Sequence, residues 1–97
     1  MRILRIDHPA PDFDAWKKAF DDDPLGREQS GVRRHRVYRS VDDPNHVWID
    51  LELETDDEAV ALRDRLQELW QRVQAQGLIG VPTAHIVEQV EDRQYGA

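Results

Sequence analysis

Residues His46 to Glu54 alternate without interruption: Val47, Ile49, Leu51 and Leu53 are apolar, while His46, Trp48, Asp50, Glu52 and Glu54 stand between them. A period of two marks a strand with one face on a core and the other away from it. Directly behind it, Thr55-Asp56-Asp57-Glu58 reads as a capping box, with Thr55 as N-cap and Glu58 at the third helical position. A one-sided strand running straight into a helix constrains the chain to two layers, because the apolar side needs a cover.

The helix opened by that box is expected to run to about Gln76 and to close at Gly77, with Ala59, Leu62, Leu66, Leu69, Trp70 and Val73 as its buried stripe. Upstream, Arg2 to Asp7 or His8 reads as a strand stopped by Pro9 and Pro11. Asp12 caps a first helix that buries Phe13, Trp16 and Phe20. Asp21-Asp22-Asp23 is expected to be a turn, with Asp23-Pro24 starting a short helical segment that ends before Gly31. Val32 to Ser40 is the partner strand of His46 to Glu54 across a turn at Asp42-Asp43-Pro44-Asn45, and Thr83 to Glu91 is the last strand. The order strand-helix-strand-strand-helix-strand predicts a ferredoxin-like α+β fold: an antiparallel sheet in the order 4-1-3-2, both helices on one face. Residues 1–91 form this single domain and residues 92–97 a loose tail.

Ninety-seven residues bury a thin core, roughly 60–65% of the unfolded surface. Only 39% of residues are apolar, so a further buried face between subunits would stabilise the chain. There is no cysteine, which removes disulfides and thiolate metal sites. Arginines interrupt the apolar N-terminus, so neither a signal peptide nor a membrane span is expected there, and cytoplasm is the default compartment. The net charge of −7 divides into +2 over residues 1–40 and −9 over residues 41–97. An acidic domain repels phosphate backbones, and nucleic acid is not an expected partner.

The basic stretch Arg33-Arg34-His35-Arg36 finds its explanation in the hairpin. A five-residue loop, Val41 to Asn45, pairs Val37 with Ile49, Tyr38 with Trp48, Arg36 with Asp50, and Arg34 with Glu52. A four-residue loop turns Arg34 and Arg36 onto the core, where unpaired guanidinium groups cost several kcal/mol. The first register leaves an aromatic pair beside matched charges on the face away from the helices. Arg34, Arg36, Tyr38, Trp48, Asp50 and Glu52 are therefore the expected interface of a homodimer.

The element order, together with Asp12-Phe13-Asp14-Ala15-Trp16-Lys17-Lys18-Ala19-Phe20-Asp21, Asp42-Asp43-Pro44-Asn45-His46-Val47 and the capped helix from Thr55, resembles small bacterial members of the dimeric α+β-barrel superfamily. That superfamily includes the antibiotic-biosynthesis-monooxygenase-like proteins. The resemblance spans residues 1 to about 91. It implies a homodimer whose two sheets face each other, a ligand between sheet and helices, and cofactor-free monooxygenase- or cyclase-like chemistry on an aromatic or polycyclic molecule. No residue set matches the asparagine, tryptophan and arginine constellation of the monooxygenases, and Asn45 falls in a turn where it serves the backbone.

Strand parity puts His35 on the helix side, where Trp16, Phe20 and Trp70 converge. His35 is the candidate catalytic base, with Trp16, Phe20, Arg39 and Trp70 as candidate ligand contacts. The bland alternative is a core-edge histidine among packing aromatics. His8, His46 and His85 gather near Asp7 at one end of the sheet, but without HxH or HxxxH spacing and with His8 and His46 on opposite faces; no metal and no cofactor is expected. Two readings follow: a homodimeric small-molecule binder or enzyme with an open cavity of roughly 300 Å³ or more, or a non-catalytic structural or regulatory dimer with a core at ordinary density.

Overall fold

The computed structural model describes residues 1–96. The elements are β1 (Arg2–Pro9), α1 (Phe13–Asp21), β2 (Arg34–Arg39), β3 (His46–Leu53), α2 (Asp56–Ala75) and β4 (Thr83–Glu88). All sheet pairings are antiparallel and the order is β2-β3-β1-β4. This is the expected 4-1-3-2 sheet read from its other edge.

The hairpin takes the five-residue loop. Val37 lies across from Ile49, Tyr38 from Trp48, Arg36 from Asp50 and Arg34 from Glu52. Asn45 sits in the turn through its main chain: its backbone carbonyl accepts from the Ala10 amide at 2.6 Å, and its backbone amide donates to the Asp43 carboxylate at 3.1 Å. Parity then sorts the whole sheet. Leu4 and Ile6 of β1 join Val47, Ile49, Leu51 and Leu53 of β3 on the helix side, all buried, with Ala84 and Ile86 of β4 packed against them. The other face carries Arg5 and Asp7 from β1, Tyr38 from β2, Trp48 and Asp50 from β3, and His85 from β4.

Both helix starts are capped by side chains. The Asp12 carboxylate accepts from the Ala15 amide at 3.1 Å, and the Thr55 hydroxyl accepts from the Glu58 amide at 3.1 Å. Helix α2 ends one residue short of expectation, and Gly77 follows with φ +77°, the left-handed conformation that glycine adopts without strain. The segment after α1 departs from expectation. It is a run of turns rather than a short helix, because Asp23 (φ +51°) and Gly26 (φ +66°) both adopt left-handed backbone within four residues. The Asp23 carboxylate holds these turns by accepting from the Arg27 amide at 2.9 and 3.1 Å. After Glu88 the described chain has no further strand or helix and is exposed; the expected tail reaches Ala97, which lies outside the described residues.

Ion pairing on the far face also differs from the hairpin reading. Asp50 is 4% exposed and is bonded by Arg5 of β1, at 2.9 Å from Nε and 3.0 Å from Nη2, rather than by Arg36. Arg36 and Arg34 both turn to Glu52, at 3.1 and 3.7 Å. The cause is topological. As an inner strand, β3 has a neighbour on each side, and a two-point arginine–carboxylate bond outcompetes a single contact.

Removing the Thr55 hydroxyl should cost about 1 kcal/mol, the usual value of an N-cap. Chemical unfolding of Thr55→Ala is expected to show a lower midpoint with an unchanged denaturant slope.

Candidate functional site

The two helices do not close fully on the sheet. In the first half of α2, Ala59 and Leu62 are sealed at 0% and 1% exposure, whereas Leu66, Leu69 and Val73 further along are only partly covered. Between these residues, α1 and the sheet lies a cavity of about 120 Å³. Its walls are apolar: Ile6, Ile49 and Leu51 from the sheet, Trp16 and Phe20 from α1, Leu66 and Trp70 from α2, and Leu78 and Ile79 from the loop before β4. Asp23, Pro24, Leu25 and Arg27 close one side from the turns after α1. Arg27 is committed there, donating from Nη1 to the Phe20 carbonyl at 2.9 Å and stacking over the Phe20 ring at 3.9 Å.

A row of rings runs along α1. His8 stands edge-on to Trp16 (5.5 Å between centroids), Trp16 leans on Phe20 (5.1 Å), and Phe20 meets the edge of His35 (5.3 Å). The two histidines at its ends are in opposite environments. His8 is 2% exposed and lines the cavity; His35 is exposed and lies outside the cavity wall. Both project to the helix side. β1 is an inner strand under the helices, however, and β2 is the sheet edge, where no helix covers the outermost side chain.

Of the sequence candidates, the structure brings Trp16, Phe20 and Trp70 together around the cavity and leaves His35 and Arg39 out of it. Arg39 donates to the Pro44 carbonyl at 2.9 Å and stacks over Phe13 at 4.3 Å. His8 was legible in part: the alternation Leu4, Ile6, His8 already sets it on the helix side. His46 faces the other way and bonds Asp7 at 2.9 Å, with Thr83 donating to the second Asp7 oxygen. His85 is exposed and lies across from Arg5. Among the described residues, no group of three or more His, Asp or Glu side chains is placed to hold a metal ion.

His8 is held by its own neighbour. Its Nδ1 lies 2.9 Å from the Pro9 carbonyl oxygen, which also accepts from the Gly80 amide at 2.9 Å. A Cβ at position 80 would come within 2.7 Å of the Pro9 ring, so this approach needs glycine. Burial pushes the His8 imidazole below its ordinary value of 6.5, outweighing the bond to Pro9 and the nearby Asp7 charge, which act the other way. Asp7 is lowered: burial works to raise it, but hydrogen bonds from Thr83 and His46 outweigh burial.

No protein-family model matches the chain, and no curated protein matches it. Solved structures match it in shape. The "putative antibiotic biosynthesis monooxygenase" of Bordetella bronchiseptica superposes with a TM-score of 0.68 at 18% identity, over 93% of this chain and 98% of that one. The protein of the same description from Nitrosomonas europaea gives 0.65 at 19% identity, over 94% and 100%. A dimeric ferredoxin-like protein from an uncultured marine organism gives 0.66 at 7% identity, over 98% and 100%. The fold is thus the ferredoxin-like α+β fold of the antibiotic-biosynthesis-monooxygenase-like proteins. Among the described residues, no helix is long and apolar enough to cross a membrane.

The lowered His8 predicts a pH response. An unfolded chain protonates His8 near its ordinary value while the folded chain resists, so the contribution is complete above about 6.5 and is lost as pH falls through the lower folded value. Urea unfolding between pH 7 and 5 should therefore show a larger loss of stability in the wild type than in His8→Phe.

Proposed function

We propose that the chain is a homodimeric binding protein for a small apolar molecule about the size of one aromatic ring, held between the helices and the sheet. The observation that carries this reading is the cavity of about 120 Å³ with predominantly apolar walls. Its volume is several times a water's share of about 30 Å³ and near that of a dry protein cavity, about 150 Å³, that accepts benzene. It falls short of the roughly 300 Å³ that begins the range for drug-sized ligands. A polycyclic molecule would exceed it. A tightly packed, ligand-free core is disfavoured by the same cavity, since interiors normally leave few voids larger than a water molecule. Oxygenase or cyclase chemistry would take place on this same bound ring.

The dimeric part of the reading is supported by the uncovered face of the sheet. Tyr38 and Trp48 lie across from each other at 45% and 41% exposure, beside the pair formed by exposed Arg5 and buried Asp50. Two large aromatics flanked by charges that are already satisfied suit a self-complementary two-fold contact. The marine protein of the same fold is itself described as dimeric.

Toluene at ten times its Kd should stabilise the protein by about 1.4 kcal/mol, raising Tm by several degrees. Leu66→Trp, which fills the cavity, should abolish that rise; no rise in the wild type would overturn the reading. Sedimentation should give twice the chain mass for the wild type, and Trp48→Glu should dissociate it. A wild type that stays at one chain mass at high concentration would contradict the dimer.

A further inference from the structure

This inference rests on the cavity being a binding site and names what enters it. Among the described residues, His8 is the one buried polar side chain on the helix side of the sheet, the other buried polar group, Asp50, lying on the opposite face. A carbonyl oxygen only accepts, so the contact from Nδ1 to the Pro9 carbonyl fixes the hydrogen on Nδ1. The neutral ring then presents a bare lone pair at Nε2, and burial favours that neutral form. No described group bonds Nε2. Every side-chain nitrogen or oxygen sealed within the protein has a partner, so Nε2 is not sealed. With His8 only 2% exposed, the space it meets is the cavity it lines.

An unpartnered acceptor in an apolar chamber selects its ligand. A molecule with no donor leaves Nε2 unsatisfied, and an anion meets a lone pair instead of a proton. The charged groups at the wall are already engaged, Asp23 with the Arg27 amide and the Arg27 guanidinium with the Phe20 carbonyl. The indole N–H groups of Trp16 and Trp70 only donate, so neither can accept a ligand's hydrogen. The volume sets the body of the ligand at one ring.

We propose that the cavity takes a neutral, single-ring hydroxyarene of the phenol class, whose hydroxyl donates to His8 Nε2. The pair stays neutral, because burial disfavours the charged imidazolium.

Phenol and toluene differ by a hydroxyl in place of a methyl, so their comparison isolates the donor. In a merely apolar cavity, phenol is penalised because its hydroxyl loses water and gains nothing. The experiment measures binding of both to the full-length protein by Trp16 and Trp70 fluorescence, and records ¹⁵N NMR of histidine-labelled protein. The expected result is phenol bound at least as tightly as toluene, with the His8 Nε2 resonance shifted by phenol and unmoved by toluene. In His8→Phe, phenol should weaken by about tenfold or more relative to toluene. If that variant does not fold, the wild-type NMR comparison decides alone. Toluene binding with phenol excluded, or with Nε2 unmoved by phenol, overturns this inference and leaves the cavity reading standing. Binding of neither overturns both.

Discussion

Strand β3 ties the architecture together because it is paired on both sides. Its register against β1 sets Leu51 opposite Leu4, Ile49 opposite Ile6 and Val47 opposite His8. Its register against β2 sets Ile49 opposite Val37 and Trp48 opposite Tyr38. Side chains alternate strictly between faces, so a slip of one residue would put the arginines of β2 against the core and the aromatics of the far face under the helices. The two-point bond from Arg5 to the buried Asp50 carboxylate locks this arrangement from the far side, where it can form only when both strands are in place. Breaking it by removing Arg5 would leave a carboxylate buried without its partner.

The cavity follows from the same parity. Ala59 and Leu62 near the start of α2 are sealed, whereas Leu66, Leu69 and Val73 further along are only partly covered and line it. The result is a mostly apolar pocket with one oriented imidazole in its wall.

Much of this was legible in the residues. The order of the six elements suffices for the strand order, and the alternation of His46 to Glu54 with the cost of burying Arg34 and Arg36 suffices for the hairpin register. What face parity alone does not convey is how far each side chain is covered. His35 and His8 share a face by parity, yet the edge position of β2 leaves His35 in solvent, and the central position of β1 buries His8. Pairing read within the hairpin alone likewise gives Asp50 to Arg36, whereas β1 on the other side of β3 supplies Arg5. The expected turn at Asp21-Asp22-Asp23 continues as further turns where a short helix is expected, because Asp23 adopts a left-handed backbone and its carboxylate accepts locally from the Arg27 amide.

The central claim is that the space beneath α2 is open to an apolar guest. A crystal pressurised with xenon tests it without presuming any substrate. The account predicts a xenon peak bounded by Trp16, Leu66 and Trp70, on the helix side of Ile6 and next to the His8 ring. Absence of xenon there, with those side chains in mutual contact, would contradict it.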